Sequence, residues 1–182
     1  ISSELRVYLA SDAAVKFSVL RVRNGSGRSR RLSATGYVEW VLGDLRPKTA
    51  MHVITEIDAK TGALLARNSY NTEFPDRVAF FDVDDPIRSV SGDRTEFLGR
   101  NGTLRNPAAM ARQRLSGKVG AALDPCAAIQ VPFDLKDGEE REIVFRLGVG
   151  RNAADAGSLV QRLRGSTAAH GALEAVRARW TR

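Results

Sequence analysis

Apolar and polar residues alternate with a period of two through most of this chain. The segments at 15–22, VKFSVLRV, and 37–42, YVEWVL, are short and rich in β-branched and aromatic residues, which predicts strands. NGSG lies between them, so the reading is a hairpin with a basic entry to its second strand. Further on, Ile129, Val131, Phe133 and Leu135 alternate strictly, KDGEE turns the chain, and Ile143, Phe145 and Leu147 alternate again. Both sets are expected on an inward face of antiparallel strands buried on one side. Further strands are predicted at 5–9, 53–57, 63–67 and 78–83. No long helical pattern separates these strands, so sheet packed on sheet is favoured over an α/β fold.

The period changes after residue 150. In NAADAGSLVQRLRG, Asn152 is a helix cap, Asp155 follows three residues on, and Leu159, Val160 and Leu163 share one face before Gly165. A second helix is predicted in TAAHGALEAVRARW, with Leu173, Val176 and Trp180 on its stripe. That stripe should dock on the sandwich or on a further domain, and the latter would leave Trp180 exposed. The expected division is a sandwich over 1–150 and a helical linker over 151–182.

Length and composition narrow the classes. A chain of 182 residues suits one domain and can bury a substantial core. It has no apolar run of membrane-spanning length and no secretion-signal order at its start, so no membrane contact is expected from it. It begins without methionine and ends abruptly on ARWTR, which reads as a piece of something longer. One cysteine, Cys126, excludes an internal disulfide and cannot build a zinc cluster with only two histidines, which suits a reducing compartment. A net charge of +7 raises nucleic acid as a partner. The basic residues gather only at RNGSGRSRRL, on a turn, so nucleic-acid binding is not expected unless Arg28, Arg30 and Arg31 share a face with the C-terminal arginines.

SGDRTEFLGRNG, 91–102, sets the apolar pair Phe97-Leu98 among charges and closes with two glycines, which reads as an ordered loop at a sheet edge. No nucleotide-type phosphate loop, HExxH or GxSxG occurs. Asp93 and Glu96 are a carboxylate pair of the kind a glycosidase uses, but each has an arginine close at hand in the sequence, which favours the ionised form over a general acid. We therefore read no catalytic, cofactor or metal residue here. Asp93, Arg94, Glu96, Arg100, Asn101 and Arg105 form the candidate interface or sugar-edge loop.

NGSGRSRRLSATGYVEWVLG, HVITEIDAKTGALLARNSYNTEF, SGDRTEFLGRNGTLRNPAAM and LSGKVGAALDPCAAIQVPFDL, in that order, resemble the amino-terminal sandwich of the inverting glycoside phosphorylases. That family includes cellobiose and chitobiose phosphorylases and the phosphorylase-like region of bacterial cyclic β-1,2-glucan synthases. The resemblance implies a mainly β fold, an antiparallel β-supersandwich of the galactose mutarotase-like kind, with carboxy-terminal linker helices leading to an (α/α)6 barrel that carries the proton donor. It implies inorganic phosphate as a substrate of the parent, the barrel as partner, a homodimer, and a β-glucan within reach. It also implies a cytoplasmic-face location with a parent at the inner membrane. None of these residues matches the family's catalytic acid motif. A free-standing carbohydrate-binding module is the alternative, and it requires an exposed aromatic platform.

Overall fold

The computed structural model describes residues 1–181. Nine strands form two antiparallel sheets. In chain order they are β1 (Ser2–Leu9), β2 (Val15–Arg23), β3 (Arg30–Glu39), β4 (Ile54–Ile57), β5 (Leu64–Arg67), β6 (Val78–Val83), β7 (Ser89–Asp93), β8 (Pro125–Leu135) and β9 (Glu140–Gly150). The larger sheet runs β1-β2-β9-β6-β5-β4 and the smaller β3-β8-β7. The helices are α1 (Arg46–Thr49), α2 (Arg94–Leu98), α3 (Ala153–Arg162) and α4 (Ser166–Trp180). The fold class expected from the sequence is the one observed, an antiparallel two-sheet sandwich with C-terminal helices.

Two pairings differ from the sequence reading. β2 does not form a hairpin with β3, and β8 does not form one with β9. In each case the chain crosses from one sheet to the other, and β2 pairs with β9 while β3 pairs with β8. Asn24, fully buried, makes the two crossings adjacent. Its side-chain amide donates to the Leu135 and Arg28 carbonyls, its N–H donates to Glu139 O, and Gly138 N–H donates back to Asn24 O. Turn-forming residues set the bend, but a buried side chain decides where the outgoing strand goes. The second strand is also longer and earlier than expected, Arg30–Glu39 instead of 37–42, so Trp40 follows the strand and is buried beyond its end.

The inward alternation holds. Ile129, Val131, Phe133, Leu135, Ile143 and Phe145 meet between the sheets, with Leu147 partly buried beside them. The larger sheet is buried on its other face as well. There Phe17, Val19, Phe80 and Val144 pack against Ala156 and Val160 of α3, Leu163 just past its end and Ala169 of α4. The expected one-sided burial of β9 therefore fails, because the C-terminal helices cover its second face. Asn152 caps α3 as expected, its side chain accepting from Asp155 N–H at 2.9 Å. Trp180 is exposed. The helical and small-sheet layers flank the larger sheet, so Arg177 and Arg179 of α4 lie in the opposite layer from Arg30 and Arg31 of β3.

Beneath the α3–α4 junction is a charge cluster the sequence did not announce. Arg146 of β9 is fully buried and pairs with Asp82 of β6 and with Asp84. It also donates to Leu163 O at 2.6 Å, while Gly165 N–H donates to Asp84 at 2.8 Å. Burial raises the Asp84 pKa above the ordinary aspartate value, against the pull of Arg146.

Candidate functional site

The 91–102 stretch forms a capped helical turn, not the loop expected. Asp93 ends β7 and caps α2, accepting from Thr95 N–H at 3.0 Å. Phe97 and Leu98 are buried with Ala109, Leu115 and Ala128, and Phe97 stacks on Tyr37 at 4.6 Å between ring centroids. The apolar pair is thus the anchor that seats α2 on the outer face of the smaller sheet.

The charged residues divide into two groups. Asp93 pairs with Lys118, and Glu96 accepts from Ser91 Oγ at 2.7 Å, Ser116 Oγ at 2.6 Å and Arg112 at 2.9 Å. Burial acts to raise the Glu96 pKa, but the hydrogen bonds from Ser116 and Ser91 and the Arg112 charge outweigh it and hold the group below the usual carboxylate range. Glu96 is therefore an ionised brace and has no proton to donate as a general acid. Arg94 turns away from both carboxylates and reaches Glu39 at 2.8 Å and Asp124 at 3.2 Å. Arg46 pairs with the same two acids. The two sequence motifs, DRTEFLGRNG and ALDPCAA, are joined here, since Arg94 N–H also donates to Asp124 O.

Beyond Leu98 the chain leaves the sheet. Gly99 has φ +85, and a Cβ at Gly102 would stand 1.7 Å from Leu98 O, so the turn out of α2 admits no side chain at that position. Arg100, Asn101 and Arg105 lie on the arm that follows, exposed, and none has a side-chain hydrogen bond or ion pair among the described residues. A Thr103–Asn106 bridge closes the arm's tip. The structure thus brings Asp93, Arg94 and Glu96 together in the root and sets Arg100, Asn101 and Arg105 apart in the arm. Glu39, Arg112, Ser116, Lys118 and Asp124, which complete the root, went unread because they come from distant sequence.

Cys126 is buried and unpaired, and burial pushes its thiol pKa up, so it is a packing residue, not a nucleophile. Among the described residues, no cluster of His, Cys, Asp and Glu could hold a metal ion, and no helix is long and apolar enough to cross a membrane.

The comparison that decides the family covers residues 1–166, which match the family described as "Glycosyl hydrolase 94, supersandwich domain". The chain belongs to that family. The supersandwich is 37% identical over 162 residues to cyclic beta-(1,2)-glucan synthase NdvB of Rhizobium meliloti, covering 88% of this chain and 6% of the relative. It is 31% identical over 140 residues to N,N'-diacetylchitobiose phosphorylase of Vibrio furnissii, covering 72% and 17%. Cellobionic acid phosphorylase of Neurospora crassa is 26% identical over 164 residues, with 87% and 20% covered. The supersandwich therefore spans at most a fifth of the length of these relatives, all of them larger glycoside-active proteins.

Proposed function

We propose that this chain is the non-catalytic sandwich domain of a β-1,2-glucan-processing glycoside phosphorylase or cyclic β-1,2-glucan synthase, and that its arm contacts a helical catalytic barrel or a second subunit. The observation that carries this reading is the division of one motif into a root whose charges are all bonded inward and an arm whose cations are free. Exposed arginines on a braced root are ready for charge-assisted bonds to carboxylate, phosphate or sugar hydroxyls. Residues 1–150 form the sandwich unit on this reading, and 151–182 lead toward the barrel, at the cytoplasmic face of the inner membrane. In the parent, a barrel carboxylic acid protonates the leaving glycosidic oxygen while phosphate attacks the anomeric carbon from the opposite face, giving glucose 1-phosphate with inversion.

The test compares the natural full-length protein with the 182-residue chain, using sophorose or β-1,2-glucan with phosphate and following glucose 1-phosphate. The full-length protein forms product, and Arg100→Ala or Arg105→Ala lowers its rate about tenfold, equivalent to about 1.4 kcal/mol. The isolated chain forms none. Product that scales with the isolated chain, or a full-length rate untouched by both substitutions, overturns the proposal.

A further inference from the structure

A groove of about 910 Å³ opens on the sandwich between the chain at 42–52 and the β5–β6 connection at 68–77, and no residue of α2 or the arm lines it. Its volume falls in the range of roughly 300–1,000 Å³ typical of small-ligand sites. Tyr70 is 76% exposed at its rim and Phe74 53%. These rings stand on a braced backbone. Asn68, itself buried, donates to Leu42 O at 3.0 Å, and Asn71 donates to the same oxygen at 3.4 Å. The Asn71 side-chain oxygen accepts from the N–H groups of Glu73 and Phe74, each at 3.0 Å. Leu42 has φ +43, a conformation that costs a non-glycine residue free energy. His52 stacks on Tyr70 at 4.5 Å, and the Arg77 guanidinium lies 5.8 Å from the Phe74 ring centre.

We propose that this groove binds a stretch of a β-linked gluco-oligosaccharide, with Tyr70 and Phe74 as its stacking platforms. The choice of a β-glucan rests on the function proposed above; the choice of a sugar rests on the lining. Two acids, Asp44 and Glu73, face two bases, Lys48 and Arg77, so the groove has no net charge with which to select an anion. Lys48 and Asp44 already pair at 2.9 Å. A pyranose matches this combination: its axial C–H face packs on an aromatic ring while its equatorial hydroxyls reach carboxylate, ammonium and amide groups at the margin. The exposed rings of a pre-braced loop reduce the ordering cost on binding.

The experiment is an NMR titration of the 182-residue chain with linear β-1,2-linked gluco-oligosaccharides, with inorganic phosphate as the anion control. Shifts confined to 42–52 and 68–77 are expected, and Tyr70→Ala or Phe74→Ala should weaken binding about tenfold, a change of about 1.4 kcal/mol. Both side chains are exposed, so the variants keep their fold, which a thermal melt verifies. An absence of shifts at millimolar sugar, shifts that map to the arm, or binding indifferent to both substitutions overturns the inference. Sugar binding by the chain alongside an inactive full-length protein would sink only the proposed function, and an active full-length protein whose isolated sandwich ignores the sugar would sink only the groove.

Discussion

The guanidinium of Arg146 and the carboxylate of Asp82 form an ion pair from which water is wholly excluded, both side chains being 0% exposed. Such a pair adds little net stability over an apolar filling, but removing Arg146 takes the cation from Asp84 as well and leaves Asp82 only the more exposed Arg88 and Arg164, each at 3.2 Å. Arg146→Met is therefore expected to cost about 3–5 kcal/mol in chemical denaturation. Arg146→Met combined with Asp82→Asn should recover part of that loss, Asp84 still lacking its cation, and equal instability of the single and double variants would refute the pairing argument.

Phe97→Ala removes the ring that seats α2 against Tyr37 and should destabilise the chain by about 3–5 kcal/mol. Arg100→Ala, on the exposed arm, should change stability by less than about 0.5 kcal/mol. Denaturation of both variants provides the comparison, and comparable losses would show that the arm is part of the brace.

Glu96 supplies a pH dependence. Its folded pKa lies below the unfolded one, so its contribution to stability is complete above the unfolded value and disappears as pH falls through the folded value. Glu96→Gln should cost about 1.5–3 kcal/mol at neutral pH, the scale of hydrogen bonds to a charged group. The gap between wild type and variant should close as the pH is lowered below about 4, measured from thermal midpoints. A gap that widens in acid would reverse the sign of the assignment.

Asp84 acts in the opposite sense. Its pKa is raised by burial, so its protonated form favours the folded state at low pH and this contribution is lost as pH rises through the folded value. Asp84→Asn should therefore flatten the decline in stability on the alkaline side of that titration. An unchanged pH profile, read from denaturation midpoints, would show that Arg146 compensates the charge fully.

What the sequence reveals depends on how local each cause is. β1, β2, β4, β5, β6, β8 and β9 were legible because short runs rich in β-branched and aromatic residues are written in neighbouring positions, whether burial alternates, as in β2, or is continuous, as in β6. β7 was not, because its outward residues Ser89 and Ser91 are polar and become buried only when α2 and residues 115–117 pack against them, Ser91 Oγ donating to Glu96 and Leu115 N–H donating to Ser89 Oγ. The sheet crossings were misread because the turns before β3 and β9 carry the same residue types as a hairpin, and the deciding bond runs from Asn24 to Leu135 across 111 residues. In the candidate site, the Phe97-Leu98 anchor was readable from its setting. The acceptors of Arg94 were not, since Glu39 lies 55 residues before it and Asp124 30 after. Tyr70 and Phe74 stand in an aperiodic connection, where pattern carries no signal of exposure. Arg146 occupies a position that would face solvent in a one-sided strand, and the α3–α4 junction makes it an interior residue.

The central place of β9 sets the order in which a nascent chain can become this domain. It joins β2 to β6, so until residues 140–150 have been synthesised the larger sheet exists only as a β1–β2 ribbon and a separate β4–β5–β6 meander. β3, meanwhile, waits for β8, because Arg30 pairs with Leu135. Closure over such long sequence separations is slow, and the interim edges are open to pairing with other chains. Synthesis arrested before residue 125 therefore leaves two open fragments of sheet and an unpaired β3, a ready substrate for chaperones, instead of a shortened sandwich.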